Sequence, residues 1–570
     1  MDTKDLLIQA IKDAVAKAIA EQALPEGQLP TVILEVPPKK ELGDFASNIA
    51  MQSARVFHVA PRKIAEEIVS RLDATFLEKT EIAGPGFINF YLKSDVIYDA
   101  LANLLKAGSE YGNLPKQETP RIQVEYVSAN PTGPLHVGHG RGAAFGSALV
   151  NLMRAAGYNV SSEYYINDAG KQIDNLALSV NARYLELLGK EVEFPENGYH
   201  GQDIIETAKR IIAKDGDKYL NMSDEERLSI FKELALKEKL AALKEDLAAF
   251  NVHFDVWFSE RTLHPDAVNA VCDKLLANGN MYKQDGALWL KSTAYGDDKD
   301  RVVIRDNGVP TYLAADIAYH DNKFERKFDK LINIWGADHH GYVCRVKAAM
   351  AALGYNADDL EVLLLQMVSL YRDGELVKMS KRTGQSVTLS ELIEEVGADA
   401  ARFFFIMRSL DSQLDFDLNL AKSQSNENPV YYVQYAYARI CSIFRQMKEA
   451  GIETTENPQL SLLTDEAEIA LIKKLLSYPD EIATAAKNKA PHRIATYVHD
   501  LASMFHSFYN KCRILGVDAK LAGARLALCL AVKYVLAHAL AILGVNAPEK
   551  NVIIFNVNDN WEEILDGFSA

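Results

Sequence analysis

One stretch of the sequence constrains the fold more than any other, because it predicts a strand, a tight loop, a helix and a second strand in succession. Arg121–Ala129 is the first strand candidate, and Val137–Ala156 has the apolar spacing of a helix. Gly157 ends that helix, and Val160–Ile166 predicts the next strand. Such a segment forms a right-handed βαβ unit of a parallel sheet. Ligands of these sheets bind at the carboxyl ends of the strands, so we expect the functional site there.

The chain has 570 residues, which is too many for a single hydrophobic core. We therefore expect several domains. Residues 1–110 combine helical patterns with two strand candidates, Thr31–Val36 and Phe87–Leu92, and predict a small α+β domain. Residues 391–570 are helical in pattern and predict an all-α bundle. Within them the apolar stretch Leu526–Val545 includes charged and polar residues, so it predicts a buried core helix and no membrane association.

The central region, residues 118–390, predicts a Rossmann-type parallel-sheet domain. Charged amphipathic helices dominate two insertions, at about 172–245 and 267–310. The second half of the sheet resumes at Leu331–Trp335 and ends with the apolar strand candidate Val362–Leu370. The predicted fold class is multidomain α/β, with helical insertions, a small N-terminal α+β domain and a C-terminal all-α bundle.

Composition sets only weak limits on function. The formal net charge of −16 argues against a nucleic-acid partner, although an acidic protein can carry local basic faces. The five cysteines include no Cys-x-x-Cys pair, so they indicate neither a zinc site nor a disulfide framework, and they fit the reducing cytoplasm. The amino terminus has no apolar segment typical of an export signal.

Two histidines follow the first strand of the βαβ unit, in the string His136-Val137-Gly138-His139. The amino terminus of a helix presents unpaired N–H groups and a partial positive charge, and two imidazoles there add donors for a polyphosphate. Gly138 lacks a side chain and would let a flat base lie against the backbone. Taken alone, the string also fits two ordinary histidines at a helix start.

A basic string, Lys378-Met379-Ser380-Lys381, follows the last strand of the predicted sheet. Its two ammonium groups could fold over a triphosphate and stabilise the charge on departing pyrophosphate. Taken alone, the string also fits a solvated basic loop. Each of the two candidate phosphate-binding strings follows a strand of the same predicted sheet. Together they are stronger evidence for phosphate binding than either string alone, and they predict a shared nucleotide site.

These strings, Pro134–His139 and Lys378–Lys381, resemble the signatures of class I aminoacyl-tRNA synthetases. Three further strings are similar to those of the arginyl-tRNA synthetase family: Val124–Gly133, Tyr164–Gly170 and Tyr431–Arg439. The resemblance runs from the N-terminal region to about Glu549. It implies a cytoplasmic monomer that activates L-arginine with ATP, releases pyrophosphate, and transfers the arginyl group to the 3′-terminal ribose of tRNA(Arg).

By this resemblance the histidine and lysine strings contact ATP, magnesium is carried on the ATP phosphates, and no zinc is expected. Many members lack the second lysine of the basic string and carry one upstream of the histidines. Here Lys381 is present and the stretch Ser128–Leu135 has no lysine. The implied catalytic residues are His136, His139, Lys378 and Lys381, and the implied ATP contacts also include Gly138 and Met379.

The resemblance assigns the arginine substrate to Glu125, Asn130, Tyr312 and Asp316. The chemistry agrees, because a guanidinium has several N–H donors and a permanent charge and needs carboxylates with bidentate geometry. Glu125 lies in an otherwise apolar strand, where an unpaired carboxylate is costly, and Asp316 follows Tyr312 by one helical turn. The alternative is an ion pair between Glu125 and an arginine of the protein, with Arg141 or Arg305 as candidates.

The family's N-terminal domain contacts the corner of tRNA, and its helical domain contacts the anticodon. Phe87 could stack on an extruded base while Asn89 reads its edge, or Phe87 could belong to the core and Asn89 to a turn. Tyr435, Tyr437 and Arg439 are candidates for stacking or phosphate contact, although tyrosines at helical spacing also fit a core. No role is predicted for the extension 550–570, which continues past the point where family chains commonly stop.

Two other functions stay open on the sequence alone. Another class I synthetase, for cysteine or a large aliphatic side chain, would need zinc-binding cysteines or an apolar wall, and neither is apparent beside Glu125. A catalytically silent paralogue that only binds tRNA is the other alternative. The intact His136, His139, Lys378 and Lys381 argue against it.

Overall fold

The computed structural model describes residues 3–37, 42–377, 386–449, 457–514 and 516–550. These residues form two compact units. The first comprises the described residues of Met1–Gly108, Glu453–Leu476 and Ser507–Ala531, and the second comprises the rest of the described chain. The domain boundaries that the sequence suggests, at 110, 118 and 390, stay predictions.

The N-terminal part of the first unit is an antiparallel sheet covered by helices. Its strands pair in the order β1 (Phe45–Ser47), β3 (Phe87–Leu92), β2 (Leu77–Ala83). Its helices are α1 (Thr3–Ala20), α2 (Ile49–Phe57), α3 (Pro61–Arg71) and α4 (Ser94–Ala107). Strand β3 confirms the prediction. The predicted strand Thr31–Val36 is wrong, because the sheet order is complete without it and only Glu35 of that segment pairs, with Ala46.

The remaining strands, in chain order, are β4 (Arg121–Glu125), β5 (Asn159–Ile166), β6 (Val256–Ser259), β7 (Met281–Gln284), β8 (Ala287–Leu290), β9 (Arg301–Ile304), β10 (Lys330–Gly336), β11 (Leu360–Leu365), β12 (Val368–Arg372), β13 (Glu375–Leu376) and β14 (Leu414–Asp417). Five of them form a sheet in the order β11-β10-β4-β5-β6, in which every neighbouring pair is parallel. The predicted Rossmann-type parallel sheet is therefore confirmed.

The helices after α4 are α5 (Val137–Ala155), α6 (Lys171–Leu187), α7 (Gln202–Asp215), α8 (Asp224–Ala249), α9 (Asp266–Ala277), α10 (Tyr312–Glu325), α11 (His340–Leu353), α12 (Leu389–Val396), α13 (Ala398–Ile406), α14 (Leu418–Lys422), α15 (Pro429–Glu449), α16 (Glu466–Leu476), α17 (Tyr478–Lys487), α18 (His492–Lys511) and α19 (Ala519–Leu543). Beyond β14 the described chain is helical, as the sequence predicts, so the predicted fold class is confirmed in its C-terminal part too.

The chain between the sheet strands contains more than the predicted helices. Helices α6, α7 and α8 fill the connection from β5 to β6. The next connection holds β7, β8 and β9, which form a separate antiparallel sheet in that order. The sequence interpretation missed this sheet, because each strand has only four residues and presents a short apolar pattern between charged residues.

The predicted strand Val362–Leu370 is two strands in two different sheets. β11 ends at Leu365, and β12 begins at Val368 and pairs with β13 and β14. At the break, the backbone N–H of Gln366 donates to the carbonyl of Leu410, 3.1 Å away. The change of partner explains why one apolar run does not continue as one strand.

Helix α19 contains most of the apolar stretch Leu526–Val545 that the sequence assigns to a core. Among the described residues it is the one helix that length and composition would allow to span a membrane. Val532, Val535 and Leu536 on it are fully buried. The predicted core helix is therefore confirmed.

Helix α5 lies unusually close to its neighbours, because glycines stand where it touches them. A Cβ atom on Gly146 would lie 2.3 Å from the ring of Tyr126, which is buried just after β4. A Cβ atom on Gly140 would lie 2.8 Å from Leu389 Cδ1. By contrast, a Cβ atom on Gly142 would meet only Leu365 Cδ2, at 3.4 Å. The helix is thus held tightly against the end of β4 and the start of α12.

We expect Gly146→Ala to destabilise the fold, because the added methyl group overlaps the Tyr126 ring and overpacking a core costs about 1–3 kcal/mol. Gly142→Ala is the matched control on the same helix. It adds helix propensity of up to about 1 kcal/mol without a clash. Thermal unfolding followed by circular dichroism should show a lower Tm for Gly146→Ala and an unchanged or higher Tm for Gly142→Ala. Equal shifts would contradict the packing described here.

Candidate active site

The end of β4 places Glu125 at the carboxyl edge of the sheet. The predicted strand continues to Ala129, but the observed strand stops at Glu125, because Val127 and Ser128 have positive φ angles of 68° and 42°. A β-branched residue in this region is strained, so other contacts must hold it. The Ser128 hydroxyl donates to Glu125 Oε1 at 2.9 Å and accepts the Tyr165 N–H at 3.1 Å. These bonds fix the turn and the Glu125 carboxylate together.

The start of α5 holds the two histidines against each other. The His136 and His139 rings stack with centroids 3.6 Å apart. His136 Nδ1 accepts the N–H of Gly138 at 3.1 Å and that of His139 at 3.4 Å, and His139 Nδ1 accepts the His136 N–H at 3.2 Å. Since both Nδ1 atoms are acceptors, each ring carries its proton on Nε2. The pair therefore presents two Nε2–H donors.

Both histidine rings are neutral near pH 7. Desolvation lowers the pKa of His139 to about 3, with a smaller contribution from His136, and desolvation also lowers the pKa of His136. Gly138 is required for a reason that differs from the predicted one. A Cβ atom there would lie 3.0 Å from His136 Cε1 and 3.1 Å from its Nδ1. The glycine makes room for the imidazole that caps the helix.

The basic string Lys378–Lys381, with Met379, lies outside the described residues. The segment that follows it is described and bonds to the histidine segment. Val137 N–H donates to the Val387 carbonyl at 3.1 Å, and Leu389 N–H donates to the Leu135 carbonyl at 2.8 Å. His136 and Thr388 form a β-bridge between these bonds. The segment from Val387 to Leu389 therefore lies against the start of α5.

The partner of Glu125 is a lysine. Lys323 Nζ on α10 lies 2.6 Å from Glu125 Oε2, and its side chain is completely buried. The predicted arginine partners are wrong. The Arg141 guanidinium donates to the carbonyls of Gln366, Ser409 and Ser412, each at 2.9 Å, and the Arg305 backbone closes a turn with Val309 next to β9. An internal ion pair exists, but its cation comes from α10.

Asp316 lies on α10 one turn after Tyr312, as the sequence predicts. Its carboxylate accepts the hydroxyl hydrogen of Tyr342. Desolvation raises the pKa of Asp316 to about 7; the bond from Tyr342 opposes this, and the charges of Glu125 and Glu260 add to it. Tyr312 is 64% exposed. The cluster around Asp316 thus contains more acidic groups than one lysine neutralises.

Asn130 is exposed and follows the strained turn, so it lies on the same chain segment as Glu125. Sequence reasoning missed Lys323, Tyr342 and Glu260, although all three act on the predicted carboxylates. Desolvation raises the pKa of Glu260, and hydrogen bonds with Tyr165 and His264 oppose the rise. The one available signal was that Lys323 stands seven residues after Asp316, on the same helical face.

The candidate tRNA contacts divide into exposed and buried side chains. In the first unit, Phe87 is 38% exposed, whereas Asn89 is buried within β3. Phe87 is therefore not a core residue and Asn89 is not a turn residue. In the second unit, Tyr437 is buried, whereas Tyr435 and Arg439 are half-buried. Arg439 Nη1 donates to the Tyr435 hydroxyl at 2.7 Å.

Among the described residues, no group of three or more His, Cys, Asp or Glu side chains is arranged to hold a metal ion. The polar groups at the start of α5 are N–H donors, which suit phosphate oxygens. The groups on α10 and β4 are carboxylates, which suit a cation with hydrogen-bond donors. One edge of the sheet therefore offers donors for an anion beside acceptors for a cation.

Comparison with known protein families identifies the class of enzyme to which the chain belongs. The family model "tRNA synthetases class I (R), catalytic domain" matches residues 100–408, "Arginyl tRNA synthetase N terminal domain" matches residues 5–92, and "DALR anticodon binding domain" matches residues 433–550. The fold and the site define a class I tRNA synthetase.

Individual relatives show which family within the class I tRNA synthetases the chain belongs to. An arginine--tRNA ligase of Desulforamulus reducens is 52% identical over 554 residues, which cover 96% of this chain and 98% of that protein. One of Bacillus cereus is 53% identical, covering 96% and 99%. The solved arginyl-tRNA synthetase of Thermus thermophilus has the same fold, with a TM-score of 0.73 and 24% identity over 95% of this chain and all of that one. The chain belongs to the arginyl-tRNA synthetase family.

We expect Gly138→Ala to impair activation of the amino acid, because the methyl group displaces the His136 ring by a few tenths of an ångström. Small misplacements of a binding group are costly, and we expect kcat/KM for ATP to fall about 10-fold. Gly133→Ala is the control, since a Cβ atom there meets nothing within 4 Å. Its kcat/KM for ATP should stay within about 2-fold of the unchanged enzyme. Equal losses in both variants would contradict the packing role of Gly138.

Proposed function

We propose that the family's reaction, the ATP-dependent joining of arginine to tRNA(Arg), takes place at the carboxyl edge of the parallel sheet. The observation that carries this proposal is the charge of the cluster around Asp316. Beside desolvation, the charges of Glu125 and Glu260 raise the pKa of Asp316, and Lys323 is the cation that bonds to Glu125. A guanidinium supplies the missing positive charge together with several donors, so we assign arginine to this cluster.

Glu125 and Asp316 are the proposed contacts of the guanidinium. Each oxygen of the Glu125 carboxylate already accepts one hydrogen bond, from Ser128 or Lys323, and retains a second lone pair for the substrate. Asn130 and Tyr312 are exposed at the same edge. We assign them to the rest of the arginine molecule.

The start of α5 is the proposed ATP site. The Nε2–H groups of His136 and His139 donate to the phosphates, and the partial positive charge of the helix terminus adds to the attraction. Gly138 contributes by admitting the His136 ring. Lys378, Met379 and Lys381 complete the site in this proposal. The hydrogen bonds from Val137 to Val387 and from Leu389 to Leu135 support it, because they bring the chain after these residues to the histidines.

The proposed chemistry needs no nucleophilic side chain. The arginine carboxylate attacks the α-phosphorus of ATP, the bond to the bridging oxygen breaks, and pyrophosphate leaves. The 3′-terminal ribose of tRNA then attacks the arginyl carbonyl and AMP leaves. Alignment of the two substrates and stabilisation of phosphate charge supply most of the acceleration. Magnesium, held on the ATP phosphates through oxygen ligands, would neutralise part of their charge.

The exposed Phe87 and the half-buried Tyr435 and Arg439 are the proposed tRNA contacts. We assign Phe87 to stacking on a base and Tyr435 with Arg439 to stacking or phosphate contact. The burial of Asn89 and Tyr437 argues against the same role for them. We further propose that the protein acts as a monomer in the cytoplasm.

We expect Glu125→Gln to raise the KM for arginine about 10- to 100-fold, because a hydrogen bond to a charged group contributes roughly 1.5–3 kcal/mol. The KM for ATP should change less than about 3-fold. The assay is arginine-dependent exchange of pyrophosphate into ATP with tRNA present, and by family resemblance exchange requires the tRNA. Glu163→Gln is the control, since Glu163 is also buried, on the neighbouring strand β5, but pairs with Arg326. It should lack the arginine-selective effect. Equal changes in both KM values for Glu125→Gln would refute the assignment, and exchange with another amino acid would refute the specificity.

We expect the KM for arginine to fall as the pH rises from about 6 to 8, because the pKa of Asp316 is about 7. Below that pH the carboxyl is protonated and offers the guanidinium no charge; above it the carboxylate is available in full. Tyr342→Phe removes the bond that opposes the rise in pKa, so it should move the profile to higher pH. The KM for ATP in the same buffers is the control. A flat or reversed arginine profile would contradict the role of Asp316.

A further inference from the structure

A buried series of hydrogen bonds joins Glu125 to the backbone of Asp316. Lys323 Nζ donates to Glu125 Oε2 at 2.6 Å and to Asn333 Oδ1 at 3.1 Å. Asn333 Nδ2 donates to His320 Nε2 at 2.8 Å, and His320 Nδ1 donates to the Asp316 carbonyl oxygen at 2.8 Å. We call Lys323, Asn333 and His320 the buried relay. It connects the carboxylate of Glu125 to the backbone of Asp316, the other residue that we assign to the guanidinium.

The fold positions the relay rigidly. Asp316, His320 and Lys323 are spaced four and three residues apart and so share one face of α10. Asn333 on β10 is the register partner of Glu125 on β4. The relay therefore ties one helix to two neighbouring strands at the depth of the Glu125 carboxylate.

Because the three relay residues are buried, each depends on the others for its hydrogen-bond partners. Lys323 and Asn333 are fully buried and His320 is 2% exposed. A buried ammonium group that lost its partner would be costly, but apolar packing usually stabilises a core as well as an ion pair does. Stability alone therefore does not require a lysine at this position. The Lys323 ammonium also lies 4.3 Å from the centre of the Tyr319 ring, which limits its movement.

We infer that Lys323 is a positioning residue for arginine recognition, which fixes the Glu125 carboxylate at the spacing from Asp316 that a guanidinium requires. The inference rests on the proposed roles of Glu125 and Asp316. The ammonium occupies one lone pair of Oε2 and leaves others for the substrate. Its positive charge also offsets part of the negative charge of the carboxylates that we assign to the guanidinium.

A double-mutant cycle tests the inference. Lys323→Met, Glu125→Gln and the double variant are compared by KM for arginine, KM for ATP and Tm, with pyrophosphate exchange as the assay. We expect Lys323→Met to raise the KM for arginine at least about 10-fold and the KM for ATP less than about 3-fold. In the Glu125→Gln background the same substitution should add less than about 3-fold to the KM for arginine, because the residue acts through Glu125.

Two further variants separate positioning from stability. Lys323→Arg keeps the charge and should bring the KM for arginine closer to that of the unchanged enzyme than Lys323→Met does. Arg326→Met is the matched control, because Arg326 follows α10 directly and pairs with the buried Glu163. It should lower the Tm without an arginine-selective change in KM.

The outcomes distinguish the two proposals. Glu125→Gln without an arginine-selective effect overturns the proposed function. A selective effect of Glu125→Gln together with full additivity of Lys323→Met, or with equal changes in both KM values for Lys323→Met, overturns the positioning role alone. If Lys323→Met fails to fold, the test uses the double variant Lys323→Met, Glu125→Gln, in which neither member of the ion pair is charged. A KM for arginine equal to that of Glu125→Gln supports the inference, and a further rise overturns it.

Discussion

The parallel pairing of β4 with β10 is the constraint on which the site depends. It makes Glu125 and Asn333 register partners, at the edge of the sheet where α5 begins. Because α10 precedes β10, its amino-terminal half, with Asp316, lies toward the same edge. The hydrogen bonds of the sheet therefore fix Glu125 beside Asn333, and Lys323 of α10 bonds to both.

This edge of the sheet combines N–H donors that suit an anion with carboxylates that suit a cation. The histidine pair is kept neutral by desolvation and still offers two N–H donors, which suits the phosphates of ATP. Desolvation raises the pKa of Asp316 to about 7, and repulsion from the charges of Glu125 and Glu260 adds to the rise. A cationic substrate relieves that repulsion. The arrangement explains how one site can align an anion and a cation for reaction.

Local patterns predicted much of this molecule, and long-range contacts decided the rest. The βαβ unit and β3 could be predicted because apolar spacing and turn residues determine them. The end of β4 could not, since the φ angle of Val127 is held by bonds of Ser128 to Glu125 and to Tyr165, which lies far along the chain. The buried carboxylate correctly predicted a cation, but its partner Lys323 stands 198 residues away and resembles an ordinary solvated lysine in sequence.

A structure of the protein with arginine bound tests the central claim most directly. We expect guanidinium nitrogens within about 3 Å of carboxylate oxygens of both Glu125 and Asp316. We also expect the bond between Lys323 and Glu125 to persist in the complex. A guanidinium bound elsewhere, with Glu125 still bonded only to Lys323 and Ser128, would contradict it.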